Sequence, residues 1–202
     1  MKYYISDLHL CHKNCIRFDD RPFADIDEMH REIVKRWNRK ITNNDEVYIL
    51  GDLSMRGKKE ELISLVSTLK GKKTLIRGNH DAISDYRYQQ LFEEVCDYKT
   101  LQDSVDGKNY NQVLFHYPIF SWKNMGRGTI LLYGHTHNSE EDYFYQKCLQ
   151  EMSEKHCRHI YQQSPQAYNV GCMKLWMNYE PRTLKEIMEN YKRIMDENIL
   201  YE

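Results

Sequence analysis

Five short apolar runs in this chain each end against residues that can ligate a metal, and no other feature limits the fold as much. Tyr3-Tyr4-Ile5 leads into Asp7-Leu8-His9, and Val47-Tyr48-Ile49-Leu50 into Gly51-Asp52. Thr74-Leu75-Ile76 leads into Gly78-Asn79-His80-Asp81, Val113-Leu114-Phe115 ends on His116, and Ile130-Leu131-Leu132-Tyr133 runs into Gly134-His135-Thr136-His137. Short β-branched and aromatic runs bounded by Gly and Asn read as buried strands. Open α/β sheets carry their working site outside the carboxyl ends of the strands. The Asp, Asn and His residues that close these runs are therefore expected to face one crevice.

At 202 residues the chain suits one domain with a proper core and is short for two. A single domain over residues 1–202 is expected, with a helical insertion at about 138–167. A net charge of −1 argues against a strongly basic nucleic-acid binder. No apolar stretch approaches the ~20 residues that cross a bilayer. Ligand residues lie within the first ten positions, so a cleaved leader would destroy the site; a cytoplasmic location is expected. Cys11, Cys15, Cys96, Cys148, Cys157 and Cys172 show no C-x-x-C pair and read as free thiols.

Strands and helices alternate over the first two-thirds of the chain, the pattern of an α/β fold. Helices are expected at about Asp25–Arg39, with Asp25 and Glu28 as a capping pair, and at Lys58–Lys70, stopped by Gly71. Tyr86–Val95 is a weaker helix. Strands near Lys99–Leu101 and Tyr110–His116 flank the turn-like Asp106-Gly107-Lys108-Asn109 and suggest a hairpin. An antiparallel pair after a parallel start implies a mixed sheet. The stretch 138–167 is read as one helix whose inward face carries Phe144, Cys148, Met152, His156 and Ile160, so the His156-Cys157-Arg158-His159 run is packing rather than a metal site. A short strand follows around Tyr168–Gly171. Thr183 and Glu186 form a capping box for a C-terminal helix lined by Leu184, Ile187, Met188, Tyr191, Ile194 and Met195.

The strand-end residues share a chemistry. In Asp7-Leu8-His9, one residue separates two side chains, which on an extended strand end point to the same side. Asp52 offers a carboxylate, able to bridge two cations with its two oxygens. Asn79 offers an amide oxygen, and His116, His135 and His137 offer imidazoles. Asp7, His9, Asp52, Asn79, His116, His135 and His137 thus make seven donors for two metals, with Asp52 shared. Mixed imidazole, carboxylate and amide donors suit Mn²⁺, placed first here, or Fe, Zn²⁺, Co²⁺ or Ni²⁺, and disfavour Ca²⁺ or a purely structural zinc. A lone Asp-x-His or Gly-Asp is usually a turn or a cap. The ordered conjunction of all five motifs is what points to function.

With these residues in view, the chain resembles the calcineurin-like metallophosphoesterase superfamily, whose pattern runs D-x-H, G-D-x-x-x-R, G-N-H-[DE], H and G-H-x-H. The matching residues are Asp7/His9, Gly51-Asp52 with Arg56, Gly78-Asn79-His80-Asp81, His116 and Gly134-His135-Thr136-His137. Ser6 to Asn14 with Arg21-Pro22-Phe23, and Asn169-Val170-Gly171, resemble a small single-domain branch. The resemblance implies a four-layer αββα sandwich of two mixed β-sheets flanked by helices. It also implies one metal held by Asp7, His9, Asp52 and His137 and another by Asp52, Asn79, His116 and His135. Two cations ~3.5–4 Å apart would polarise a phosphoryl group and generate the attacking hydroxide. His80 is then the candidate general acid, with Asp81 and Arg56 as further catalytic candidates. Many relatives carry an Asp just before that Arg, where it orients the catalytic histidine; Met55 stands there in this chain. Either Asp81 substitutes for it or His80 is less polarised. His12, Asn14, Arg17, Arg21 and Arg127 are supporting or substrate candidates.

The leading expectation is a phosphoesterase that hydrolyses a phosphomonoester or phosphodiester, with a small phosphate ester such as a nucleotide as substrate. A nuclease is a less favoured subcase, although Tyr143, Tyr145 and Tyr161 could stack on a base. The rival from another class is a catalytically inert protein-binding module of the same fold.

Overall fold

The computed structural model describes residues 1–55, 59–81, 84–156 and 162–197. Two four-stranded sheets lie at its centre. The first orders β1 (Lys2–Ile5), β2 (Glu46–Ile49), β3 (Lys72–Ile76) and β4 (Glu94–Cys96) side by side, all parallel, with Ile5 opposite Ile49 and Ile49 opposite Leu75. The second orders β5 (Tyr98–Val105), β6 (Lys108–Phe115), β7 (Ile130–Tyr133) and β8 (Gln166–Asn169). There β5 and β6 are antiparallel and the other neighbours parallel. Mixed strand direction thus falls in the second sheet; in the first, the antiparallel element is an isolated bridge between Tyr4 and Arg182.

Side-chain alternation explains why the strands read as unbroken apolar runs. In β7, Ile130 and Leu132 join the cluster that contains Ile5, Ile49 and Leu75. Leu131 and Tyr133 point the other way, into a second cluster with Tyr145 and Leu149. A strand covered on both faces needs apolar residues at every position. Burial of each is worth roughly 1.5–3 kcal/mol. The same alternation sets Tyr4 toward the second sheet, where its hydroxyl donates to Asp103 Oδ2 at 2.9 Å, while Tyr3 lies under the Lys40 ammonium on the helix side.

Helices cover the outer faces. After β1 come the short α1 (Asn14–Phe18) and α2 (Ile26–Lys40), which buries Met29, Ile33 and Trp37. The Asp25 side chain accepts the Glu28 N–H, as a cap should; the Glu28 carboxylate returns to the Ala24 N–H, one residue beyond the expected pair. The next helix, α3 (Lys59–Ser67), is shorter than expected and ends before Gly71. The expected helix Tyr86–Val95 is a single turn, α4 (Tyr86–Gln89), followed by the edge strand β4. On the far side, α5 (Glu140–Glu151) continues as a wider π turn over Met152–His156. Its inward face is Asp142, Tyr145 and Leu149, not the Phe144 and Cys148 stripe, and Phe144 stays 63% exposed. The rotation is set by Asp142, which has buried partners described below. Tyr145 is buried with its hydroxyl on the Ile119 carbonyl, so it cannot stack on a base. The last helix, α6 (Leu184–Asp196), carries the expected capping box of Thr183 and Glu186 and packs against β1 and β5. Arg56, Cys157, Arg158, His159, Ile160 and Tyr161 lie outside the described residues.

The β5–β6 hairpin turns on Asp106 and Gly107 alone, with Val105 opposite Lys108 and positive φ at both turn residues (50° and 80°). This is the backbone that twisted strands require of a two-residue loop. A Cβ at Gly107 would meet nothing within 4 Å. Gly107→Ala therefore probes backbone conformation alone. It should cost about 1 kcal/mol in urea denaturation with no change in site properties; a loss several times larger would mean that the turn packs against something unseen.

Candidate metal centre

The five strand ends do converge, by a route different from strand alternation. Asp7, His9, Asp52, His135 and His137 all have positive φ, between 48° and 71°. Non-glycine residues rarely hold this left-handed conformation. Here neighbouring loops enforce it: Asp7 N–H donates to the Gly51 carbonyl at 3.0 Å, His9 N–H to Asp52 at 3.0 Å, and Leu10 N–H to Leu53 at 2.8 Å. The β1 and β2 chains thus stay paired past the ends of their strands. Two glycines admit the close approach. A Cβ at Gly78 would overlap Asp52, and one at Gly134 would overlap Ser6 and Asp7.

Two clusters result. Asp7, His9 and His137 place ligand atoms within 4.8 Å of one another, and so do Asp52, His116 and His135. Asp52 lies between them: its Oδ2 is 3.8 Å from His9 Nε2 and its Oδ1 is 3.6 Å from His116 Nε2. Asn79 joins the second cluster, its Oδ1 3.0 Å from His116 Nε2.

Hydrogen-bond partners fix the tautomer of two of the imidazoles. A backbone carbonyl can only accept, so His116 must donate Nδ1–H to the Leu50 carbonyl at 2.8 Å. In the neutral ring this leaves the Nε2 lone pair facing the oxygens of Asn79 and Asp52. His137 likewise gives Nδ1–H to Asp19 Oδ1 at 2.6 Å, and its Nε2 meets His9 Nε2 at 3.2 Å. Two imidazole nitrogens at this distance can share one cation. Nitrogens bound ~2.0–2.1 Å from one tetrahedral ion sit roughly 3.3 Å apart, close to the separation seen. Burial, ahead of the neighbouring His137 and Arg21, pushes the His9 pKa down to about 2, so this ring is in the neutral, metal-binding form. Burial also lowers the pKa of His135 and raises that of Asp7. At His137 burial, the largest single influence, acts downward, but the Asp19 hydrogen bond and the Asp7 and Asp19 charges together outweigh it and the pKa is raised. The donor set fits divalent metals.

A family model described as calcineurin-like phosphoesterase matches residues 3–169, which takes in every strand end just described. The chain belongs to that family. The chain is similar to the uncharacterized protein MJ1445 of Methanocaldococcus jannaschii, 33% identical over 141 residues, covering 69% of this chain and 71% of that protein. The Gene 66 protein of Mycobacterium phage D29 is 32% identical over 159 residues, covering 67% of this chain and 78% of the phage protein. The solved structure of the Aquifex aeolicus protein AQ665, titled as of unknown function, has the same fold at 23% identity, with a TM-score of 0.65 over 94% of this chain and 98% of that one.

This phosphoesterase family member places its other predicted residues unevenly. His80 is half-buried at the mouth, its Nε2 4.0 Å from Asp52 Oδ2 and its backbone N–H on Asp52 Oδ1 at 2.9 Å. Asp81 is buried, but it does not orient the His80 ring. Its oxygens accept the backbone N–H groups of Asp52, Leu53 and Gly78 at 2.9–3.0 Å, contacts that favour, of the two alternatives at Met55, the less polarised His80. Arg21 is buried and serves the loops, donating to the carbonyls of Asp7 and Leu8 at 2.9 and 2.8 Å. His12 packs edge-on against His9, and the exposed Phe18 lies beyond it under the Arg17 guanidinium. Arg127 lies instead by a cavity of about 420 Å³ lined also by Trp122 and Gln162.

Two acids escaped the sequence reading. Asp19 sits behind His137. Asp142, from α5, accepts from Tyr133, Thr136 and Asn169 at 2.8 Å and pairs with the buried Lys174 ammonium at 2.6 Å. This network holds the Gly134–His137 loop from beneath. Asp142→Ala would leave the Lys174 charge buried and unpaired, at a cost of about 3–5 kcal/mol. Urea denaturation should show that loss; one under 1 kcal/mol would mean that Lys174 escapes to water.

Proposed function

We propose that the protein is a dinuclear metal-dependent phosphohydrolase acting on phosphomonoester or phosphodiester bonds. The observation that carries this reading is Asp52, a single buried carboxylate whose two oxygens face one histidine of each cluster. Asp7, His9, Asp52 and His137 would hold one ion, and Asp52, Asn79, His116 and His135 the other. Divalent cations there, Mn²⁺ first and Fe, Zn²⁺, Co²⁺ or Ni²⁺ as alternatives, would supply Lewis acidity toward the phosphoryl group and an acidified water.

The chain itself supplies order and a proton. Ser6 Oγ donates to Asp7 Oδ2 at 2.6 Å, and the His135 N–H donates to both Asp7 oxygens at 3.1 Å, so this carboxylate is fixed before any ligand arrives. His80 stands at the mouth on the same Asp52 that both clusters face, placed to protonate the departing oxygen. Asp81 is spent on backbone amides, so the ring has no carboxylate from its own motif behind it. That arrangement favours leaving groups of low pKa. His12, edge-on against His9 with Phe18 and Arg17 beyond it, would offer a planar face to a small ester such as a nucleotide. A cytoplasmic setting belongs to the same proposal. Among the described residues, no helix is long and apolar enough to cross a membrane.

Asp52→Asn should weaken uptake of both ions and cut turnover of bis-p-nitrophenyl phosphate at least about 100-fold. Two ions and full activity in that variant would contradict the shared-carboxylate assignment. His80→Gln should keep both ions and lose rate most steeply with alkyl leaving groups. A uniform loss across leaving-group pKa would remove His80 as the acid.

A further inference from the structure

We propose that Asp19 is a positioning residue for the Asp7/His9/His137 half of the centre, and that this half alone depends on it. The inference rests on the metal-centre reading above. One Asp19 oxygen accepts His137 Nδ1–H at 2.6 Å. The other accepts from Arg21 Nε at 2.9 Å and from its terminal nitrogen at 2.7 Å. Arg21 in turn holds the carbonyls of Asp7 and Leu8. A single carboxylate on the loop between β1 and α2 therefore ties the ring of a donor after β7 to the backbone that carries two donors after β1. These partners are 118 and 2 residues away from Asp19 in sequence.

The other half is built differently. His116 is oriented by the Leu50 carbonyl, a neutral acceptor at the end of β2 that owes nothing to the loop. A carboxylate behind a metal-binding imidazole fixes its tautomer and strengthens it as a donor; loss of such a partner costs roughly 10–100-fold in metal affinity. The two ion sites consequently draw their imidazole geometry from unlike sources, one charged and loop-borne, one neutral and strand-borne. Removal of Asp19 separates them.

The test titrates the metal-free, full-length protein with Mn²⁺ by calorimetry. Wild type should show two binding steps. Asp19→Ala should weaken one of them roughly 10–100-fold and leave the other unmoved. Asp19→Asn, which keeps an oxygen for either His137 or Arg21, should weaken the same step less. In ¹⁵N-labelled metal-free protein, the hydrogen-bonded Nδ1 proton of His137 should be visible in wild type and lost in Asp19→Ala. A purely structural role would lower the melting temperature without singling out one step. Equal weakening of both steps, or no weakening in a folded variant, overturns the proposal. If Asp19→Ala cannot fold around the unpaired Arg21, the Asp19→Asn titration decides by the same criteria. A wild type that takes up no Mn²⁺ would instead remove the metal-centre reading itself, and this inference with it.

Discussion

Left-handed backbone at the strand ends is the constraint from which the site follows. A non-glycine residue pays roughly 1–2 kcal/mol to enter that region, and five of the seven expected donors are in it. Such strain persists only where the surroundings over-determine it. Here they do: the parallel first sheet keeps the β1 and β2 chains hydrogen-bonded beyond their strands, and Gly78 and Gly134 let a neighbouring loop lie where a side chain would otherwise stand. Each strand end turns back on itself and presents its side chain inward. The lone pairs of His116 and His137 are then aimed before any cation is bound.

The loops are braced from two sides by buried charge. Arg21 and Asp19 clamp the β1 loop to His137, and Lys174 and Asp142 hold the loop after β7. Neither pair is a source of large net stability, because burying two ions costs about what their attraction returns. Their worth lies in geometry. Each closes a network in which one missing member leaves a charge stranded, so the loops have few alternative arrangements of similar energy. The helix α5 is part of this bracing through Asp142, as well as a cover for the second sheet.

Much of this was legible in the chain. Unbroken apolar runs such as Ile130–Tyr133 give their strands away because both faces are buried, and the Gly, Asn and Asp punctuation marks where they stop. The capping residues Asp25 and Thr183 are equally local signals. What escaped depends on distant partners. Glu94-Val95-Cys96 is too short to show a period, and only pairing with β3 makes it a strand. The rotation of α5 is set by Lys174, so its Phe144 and Cys148 pattern misleads. Asp19, in a polar loop, carries no mark of the histidine 118 residues away that it will meet. The left-handed turns at Asp7 and His135 are likewise imposed by adjoining chains, where the sequence suggested extended strand ends. Asp81 looked like a partner for His80 because it adjoins it, yet the backbone amides of the neighbouring loop claim both its oxygens.

The central claim is that one carboxylate, Asp52, joins two ions into a pair. Electron paramagnetic resonance of the protein loaded with two equivalents of Mn²⁺ reads this directly, since ions sharing a carboxylate are magnetically coupled. The account predicts a coupled-pair spectrum with hyperfine spacing about half that of an isolated ion, as follows from a bridged pair ~3.5–4 Å apart. A simple six-line spectrum of isolated Mn²⁺ at full loading would contradict it.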